Sequence, residues 1–138
     1  VFVQFDWDKS GDIWYKSGDL GFLNKSGDFE CIGRKDNQIK LGGRRIEIGE
    51  IESVLSKFKL LHDVVVVPIK DESRITTGCA AYTMSEINKE DQMRIRQESM
   101  QHLEQIFFPK KIVTIDEFPR LPSGKIDRKT LSLKAQNL

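Results

Sequence analysis

Residues 38–52 read Gln38-Ile39-Lys40-Leu41-Gly42-Gly43-Arg44-Arg45-Ile46-Glu47-Ile48-Gly49-Glu50-Ile51-Glu52, and two kinds of secondary structure meet in them. Apolar and charged residues mix on either side of Gly42-Gly43, and a Gly-Gly pair supplies the positive φ angles that a tight hairpin needs. Beyond the hairpin the spacing changes. Ile51, Val54, Leu55 and Phe58 fall at i, i+3, i+4 and i+7, one stripe of an amphipathic helix spanning about 49–58.

The flanking sequence extends this pattern. Downstream, Asp63-Val64-Val65-Val66-Val67-Pro68 reads as a strand buried on both faces, with 75–83 as its neighbour. A longer helix is expected over 89–106, capped by Asn88 with Asp91 three residues on, as in a capping box. Its apolar face, Met93, Met100, Leu103, Ile106 and Phe107, is interrupted at Arg96 and Gln97. Pro109 stops that helix, 112–115 reads as a short strand, and 119–124 is expected to be irregular. Upstream, 12–33 reads as short strands, with Asn24-Lys25-Ser26-Gly27 a turn signal before Phe29-Glu30-Cys31-Ile32. This order of hairpins and helices predicts an α+β fold of two or three packed layers.

The 138 residues suit one ordinary domain, and 38% hydrophobic with 31% charged residues is a soluble globular balance. A formal net charge of +1 argues against bulk nucleic-acid or membrane binding. The longest apolar run, Val64 to Val67, is far too short to span a bilayer. Cys31 and Cys79 lie in no metal or redox spacing and read as two reduced thiols of a cytoplasmic protein. The opening Val1-Phe2-Val3-Gln4-Phe5 has no signal-peptide character and reads as a strand entered partway, so the chain is expected to be a piece of something longer. Charge is uneven: residues 109–138 carry seven basic side chains against three acidic ones. A solvated surface explains such a run as well as an anionic ligand does.

Three segments resist explanation as packing. Tyr15-Lys16-Ser17-Gly18-Asp19-Leu20-Gly21 holds a carboxylate in a Ser-Gly turn, which suits a pair of sugar hydroxyls but equally an Asx-turn closing a hairpin. Residues 33–52 interleave five basic residues with glycines before two glutamates open a helix, where Glu50 suits the N-terminal dipole. Leu121-Pro122-Ser123-Gly124-Lys125-Ile126-Asp127-Arg128 presents a lysine on a Pro-Ser-Gly loop, where a compact ammonium suits phosphate or carboxylate oxygens. The GxxxxGK[ST] spacing of a phosphate-cradling loop is absent.

In this order the three segments resemble the close of the adenylate-forming superfamily: acyl- and aryl-CoA synthetases, luciferases and peptide-synthetase adenylation domains. The family pattern is a YxTGDL-like segment, then GRxDxQxK…GxRIE…EIE, then PxxxGKxDR, and the likeness covers about residues 14–131. The one departure in the first segment, Ser17 in place of the usual Thr, keeps the hydroxyl. Asp36-Asn37-Gln38-Ile39-Lys40 and Arg45-Ile46-Glu47 look more like amino-acid-activating members than fatty-acyl-CoA synthetases.

The resemblance implies a role for each matching residue. Asp19 would bind the ATP ribose hydroxyls, with Arg34 nearby against ribose or phosphate. Asp36 would be the hinge on which a small C-terminal domain turns, so that residues 1–35 close the large N-terminal domain and 36–138 form the mobile one. Gly43 and Arg45 would lie on the face that meets phosphopantetheine. Lys125 would bridge the substrate carboxylate and the α-phosphate, where two anions meet and a positive charge lowers the barrier. The implied fold is a mixed sheet with flanking helices preceded by β-hairpins. The implied cofactors are ATP and Mg2+, held mainly by the large domain, with no metal ligands here. The implied partners are a carboxylic or amino acid and a phosphopantetheinyl carrier protein or coenzyme A. The ending after Ser132 favours a stand-alone ligase, and the fragment alone is expected to be inactive. Two non-catalytic readings stay open: a nucleotide- or anion-binding module, and an interaction domain using the helix at 49–58.

Overall fold

The computed structural model describes residues 2–4, 9–15, 18–34 and 37–138. The chain divides into two compact units, Val1–Asn37 and Gln38–Leu138.

The first unit contains two antiparallel pairs: β1 (Phe2–Val3) with β2 (Trp14–Tyr15), and β3 (Asp19–Leu23) with β4 (Phe29–Arg34). The turn signal at Asn24 closes the second pair. Its side-chain Oδ1 accepts from the amides of Ser26 and Asp28 at 2.9 and 3.0 Å, and Gly27 takes a φ of +86°.

In the second unit, β5 (Gln38–Leu41) and β6 (Arg44–Glu47) form the expected hairpin, with Gly42 and Gly43 at φ +55° and +79°. Positive φ at both loop residues is the type I′ requirement. The chain enters α1 (Ile48–Leu55), then passes a 3-10 turn (Lys59–Leu61) into β7 (Val65–Lys70). β8 (Thr76–Thr83), α2 (Lys89–Ser99), a second 3-10 turn (Gln105–Phe107), β9 (Lys111–Thr114) and α3 (Arg128–Ala135) complete it. The sheet order is β7-β8-β9, with β7 antiparallel and β9 parallel to the central β8. It is the mixed sheet with flanking helices that the sequence implied.

Strand alternation builds two cores. Val64, Val66, Cys79, Ala81 and Ile112 face α1, α2 and the β5–β6 hairpin, joining Ile39, Leu41, Ile51, Leu55, Ile95 and Phe107. Val65, Val67, Ala80 and Tyr82 face the other way, against Phe118, Leu131 and Ala135. The Val64–Val67 run is therefore buried on both faces, as a central apolar strand reads. β7 is nevertheless an edge strand, which is where its Pro68 is tolerated.

Both helices stop short of their expected ends. α1 ends at Leu55 rather than Phe58. The amides of Lys57 and Phe58 bond to carbonyls three residues back, and Phe58 is extended at φ −81°, ψ 129°. Phe58 still packs on the core, but from outside the helix, so its i+7 spacing is coincidental. α2 keeps its capping box, with Asn88 Oδ1 accepting from the Asp91 amide at 2.8 Å and Asp91 Oδ2 from the Asn88 amide at 3.3 Å. It ends at Ser99, not 106. Its buried face is Ile95 and Ser99, continued by Leu103 in the following turn, whereas Met93, Met100 and Ile106 are exposed. Arg96, which broke the expected apolar face, lays its guanidinium 5.2 Å from the Phe108 ring centroid, a cation–π geometry.

Candidate functional site

The register of β3 and β4 sets Asp19 directly opposite Arg34. The two residues expected near a ribose are thus cross-strand neighbours, beside a bulge between Leu20 and Gly21. Asp36, the expected hinge, lies outside the described residues.

Gly43 and Arg45 sit at the tip of the β5–β6 hairpin. Its inner residues Ile39 and Leu41 are buried, which fixes the register and turns Lys40 and Arg45, a directly opposed pair, toward solvent. The tip is braced from below. A Cβ placed on Gly42 would come 2.7 Å from Ile106 Cδ1, and Arg44 pairs with Glu104 just before the same 3-10 turn. Gly43 is open: a Cβ there would meet nothing within 4 Å.

Lys125 is exposed, and its ammonium has no ion-pair partner among the described residues. The segment before it forms no regular strand, as expected from its prolines, but it is folded into a small hairpin-like turn closed by a single bridge. Arg120 bridges Ile126, the Leu121 amide donates to the Lys125 carbonyl at 2.8 Å, and the Gly124 amide to the Leu121 carbonyl at 2.8 Å. Gly124 closes the loop at φ +87°, and the Arg120 guanidinium donates to its carbonyl at 2.8 Å. A three-residue loop ending in a left-handed glycine is a stable hairpin type. Lys125 therefore stands on a hydrogen-bonded support.

That support leads straight into α3. Asp127 is the N-cap: Oδ1 accepts from the Thr130 amide at 3.1 Å and Oδ2 from its hydroxyl at 2.8 Å. These hydrogen bonds from Thr130 hold the Asp127 carboxyl below its usual range. Arg128 follows. Its Nη1 donates to Glu52 Oε1 at 2.6 Å and to the Val66 carbonyl at 2.9 Å, and Nη2 to Glu52 Oε2 at 3.2 Å. Glu52 Oε1 also accepts from the Val66 amide at 2.8 Å.

Val66 turns both its backbone groups away from β8, toward the free edge of β7, and this bidentate pair satisfies both. Two residues on, Ser132 Oγ donates to the Pro68 carbonyl at 2.9 Å. Side chains of α1 and α3 thus cover an edge that would otherwise template foreign strands.

Glu52 and Arg128 end the second and third sequence segments, yet their spacing gives no sign that they meet. They are 76 residues apart. Pro68, marking an edge strand that something must cover, was the available signal. No hydrogen bond or ion pair joins Lys125 to Gly43 or Arg45 among the described residues. The described residues hold no cluster of three or more His, Cys, Asp or Glu able to bind a metal ion, and no helix long and apolar enough to cross a membrane.

Comparison with known proteins places this geometry. A family model for the AMP-binding enzyme C-terminal domain matches residues 50–125. Tyrocidine synthase 2 of Brevibacillus parabrevis is 38% identical over 121 residues, 88% of this chain and 3% of that protein. The Vibrio cholerae adenylation domain AlmE, solved with glycyl-adenosine-5'-phosphate, superposes with a TM-score of 0.68 at 30% identity, over 99% of this chain and 24% of its own. A Mycobacterium tuberculosis fatty acyl CoA synthetase superposes with a TM-score of 0.61 at 25% identity, over 96% of this chain and 26% of its own. The chain thus spans a small part of the proteins it matches.

Proposed function

The chain belongs to the AMP-binding enzyme C-terminal domain family, and from that premise we propose that it is the moving part of an ATP-dependent, AMP-forming acid–thiol ligase. In the first half-reaction the substrate carboxylate attacks the α-phosphate of ATP, forming an acyl-adenylate and releasing pyrophosphate. In the second, a pantetheine thiol attacks the acyl carbon and AMP leaves. Lys125 serves the first step, its ammonium bridging carboxylate and α-phosphate as charge builds between them. The observation that carries this reading is an exposed lysine, without an ion-pair partner among the described residues, on a hydrogen-bonded, glycine-closed hairpin. A charge held ready in this way needs no reorganisation when the anions meet.

The β5–β6 hairpin serves the second step. Gly43 leaves room for a narrow pantetheine arm to pass, and Arg45 offers its phosphate a cation. Asp19 and Arg34, facing across β3 and β4, take the ribose and phosphate of the nucleotide. Along the sequence the division between the two compact units falls after Asn37, one residue past Asp36, which supports this residue as the pivot that presents Lys125 and then Gly43 in turn. Mg2+ would travel with the ATP phosphates. The described residues do not form a site for it, and Lys125 is this chain's contribution to the phosphate charge.

The likeness to tyrocidine synthase 2 and to a glycyl-adenylate-bound domain supports an amino acid as substrate and a carrier protein as thiol donor. The likeness to a fatty acyl CoA synthetase supports the second reading, a carboxylic acid loaded onto coenzyme A. ATP–pyrophosphate exchange by the intact protein across a panel of amino and fatty acids tests the choice. Exchange stimulated by an amino acid supports the first reading, stimulation by fatty acids alone supports the second, and silence across both panels counts against adenylation. The hinge has its own test. Asp36→Pro fixes φ near −65° and removes an amide donor, and is expected to preserve one half-reaction while crippling the other. Both rates near wild type would move the pivot elsewhere.

A further inference from the structure

We infer that Arg128, clamped by Glu52 and the Val66 backbone, is the positioning residue that fixes Lys125 for adenylation. The inference rests on the role proposed for Lys125 and adds the residues through which the fold holds it.

The path from the clamp to the lysine is short. Arg128 is the first residue of α3, Asp127 is its cap, and Ile126, which follows Lys125, forms an isolated bridge with Arg120. The Asp127 amide donates to the Pro119 carbonyl at 2.7 Å, tying the base of the Lys125 hairpin to the start of the helix. On the hairpin side, Phe118 is buried and Ile126 is half-buried against the second core. Toward α1 and the sheet edge, the polar anchor of this segment is the Arg128 fork. It makes three charge-assisted hydrogen bonds, to Glu52 on α1 and to Val66 on β7. Planar bidentate geometry fixes direction as well as distance, which a lysine in the same place does not do.

Glu52 belongs to the same helix that the β5–β6 hairpin runs into. The clamp therefore also references Lys125 to the element carrying Gly43 and Arg45. If the domain turns as one body between the two half-reactions, the arc from one hairpin to the other is set through this pair. A displacement of about 1 Å in a group aimed at reacting atoms costs up to ~10²-fold in rate. Loss of the fork is therefore expected to appear as a fall in adenylation, with the thiol step spared.

The test uses the intact protein. Single-turnover adenylate formation and transfer from preformed acyl-adenylate are measured for Lys125→Ala, Arg128→Ala, Arg128→Lys, Glu52→Gln and the double variant Lys125→Ala/Arg128→Ala. Arg128→Ala is expected to lower the maximal adenylation rate about 10- to 100-fold. Apparent KM for ATP and acid, and the transfer rate, should stay within about 3-fold, and added guanidinium at millimolar concentration should restore part of the loss. In the Lys125→Ala background the same change should cost nothing further, because a residue acting only through Lys125 has nothing left to position. Arg128→Lys and Glu52→Gln keep the packing volume and carry the test if Arg128→Ala does not fold. They should show the same split between half-reactions.

Equal loss of both half-reactions, or additive loss in the double variant, overturns the positioning role. A normal adenylation rate in Lys125→Ala overturns instead the assignment of Lys125 itself. An inactive Lys125→Ala beside fully active Arg128 variants overturns the positioning inference alone.

Discussion

The two hairpins of the second unit solve one problem in different ways. Both turn on glycines with positive φ, and both hold a cation into solvent, Arg45 on one and Lys125 on the other. The β5–β6 hairpin is held mainly by burial: Ile39 and Leu41 sit in the larger core and Ile106 lies under Gly42, with an exposed Arg44–Glu104 ion pair beside them. It runs into α1 with no side-chain cap on the helix. The Lys125 hairpin buries little of itself and depends on polar anchors, the Arg120 guanidinium, the Asp127 cap and the Arg128 fork. An apolar support tolerates changes of pH and salt. A polar support fixes direction, which is what the role proposed for Lys125, one charge meeting two anions, would require.

The largest effect should come from breaking the apolar support. Leu55, fully buried on α1 beneath the β5–β6 hairpin, is expected to cost about 2–5 kcal/mol on truncation to alanine. Denaturant unfolding should show it as a lowered midpoint with an unchanged slope. A loss below about 1 kcal/mol would mean that this core relaxes around the gap.

The glycines sharpen the comparison. Gly42→Ala and Gly124→Ala each force a side chain into the left-handed region, at a cost of about 1–2 kcal/mol. Gly42→Ala must also push Ile106 aside, whereas a Cβ on Gly124 meets nothing within 4 Å. Gly42→Ala should therefore be the more destabilising of the two, and Ile106→Ala in the same chain should remove the difference. Equal costs in thermal unfolding would show that Ile106 gives way freely.

The polar support should answer to pH. The Asp127 carboxyl titrates below its unfolded value, so its stabilising share is present above about pH 3.9 and is lost as pH falls through the folded value. Asp127→Asn keeps an N-cap acceptor but not the charge. The melting temperatures of wild type and this variant should differ at pH 7 and converge toward pH 2. A constant gap would assign the difference to geometry instead.

The smallest effect is expected at Ser99, whose hydroxyl is buried without a partner among the described residues. Ser99→Ala removes a polar group that nothing satisfies. It should be neutral or stabilising by up to about 1 kcal/mol, and a loss of stability would reveal a partner.

Local chemistry was legible in the sequence. Gly42-Gly43 announced its turn, Asn88 and Asp91 their capping box, and Val64–Val67 its two buried faces, because each depends on residues a few positions apart. The helix ends were not, since Phe58, Leu103 and Phe107 reach the core from turns that mimic helical spacing. The covered edge of β7 was not either, because Glu52 and Arg128 meet only once the sheet brings positions 76 residues apart together. The prolines around Lys125 correctly marked chain outside regular structure, but not the hydrogen bond between Leu121 and Lys125 that folds it into a closed turn.

The central claim is that Lys125 is needed where two anions meet and nowhere else. The direct measurement compares Lys125→Ala with wild type in the intact protein, by single-turnover adenylate formation and by transfer from preformed acyl-adenylate to the thiol. The account predicts a loss of at least about 10²-fold in adenylation with transfer essentially intact. Equal loss in both steps, or none in the first, would contradict it.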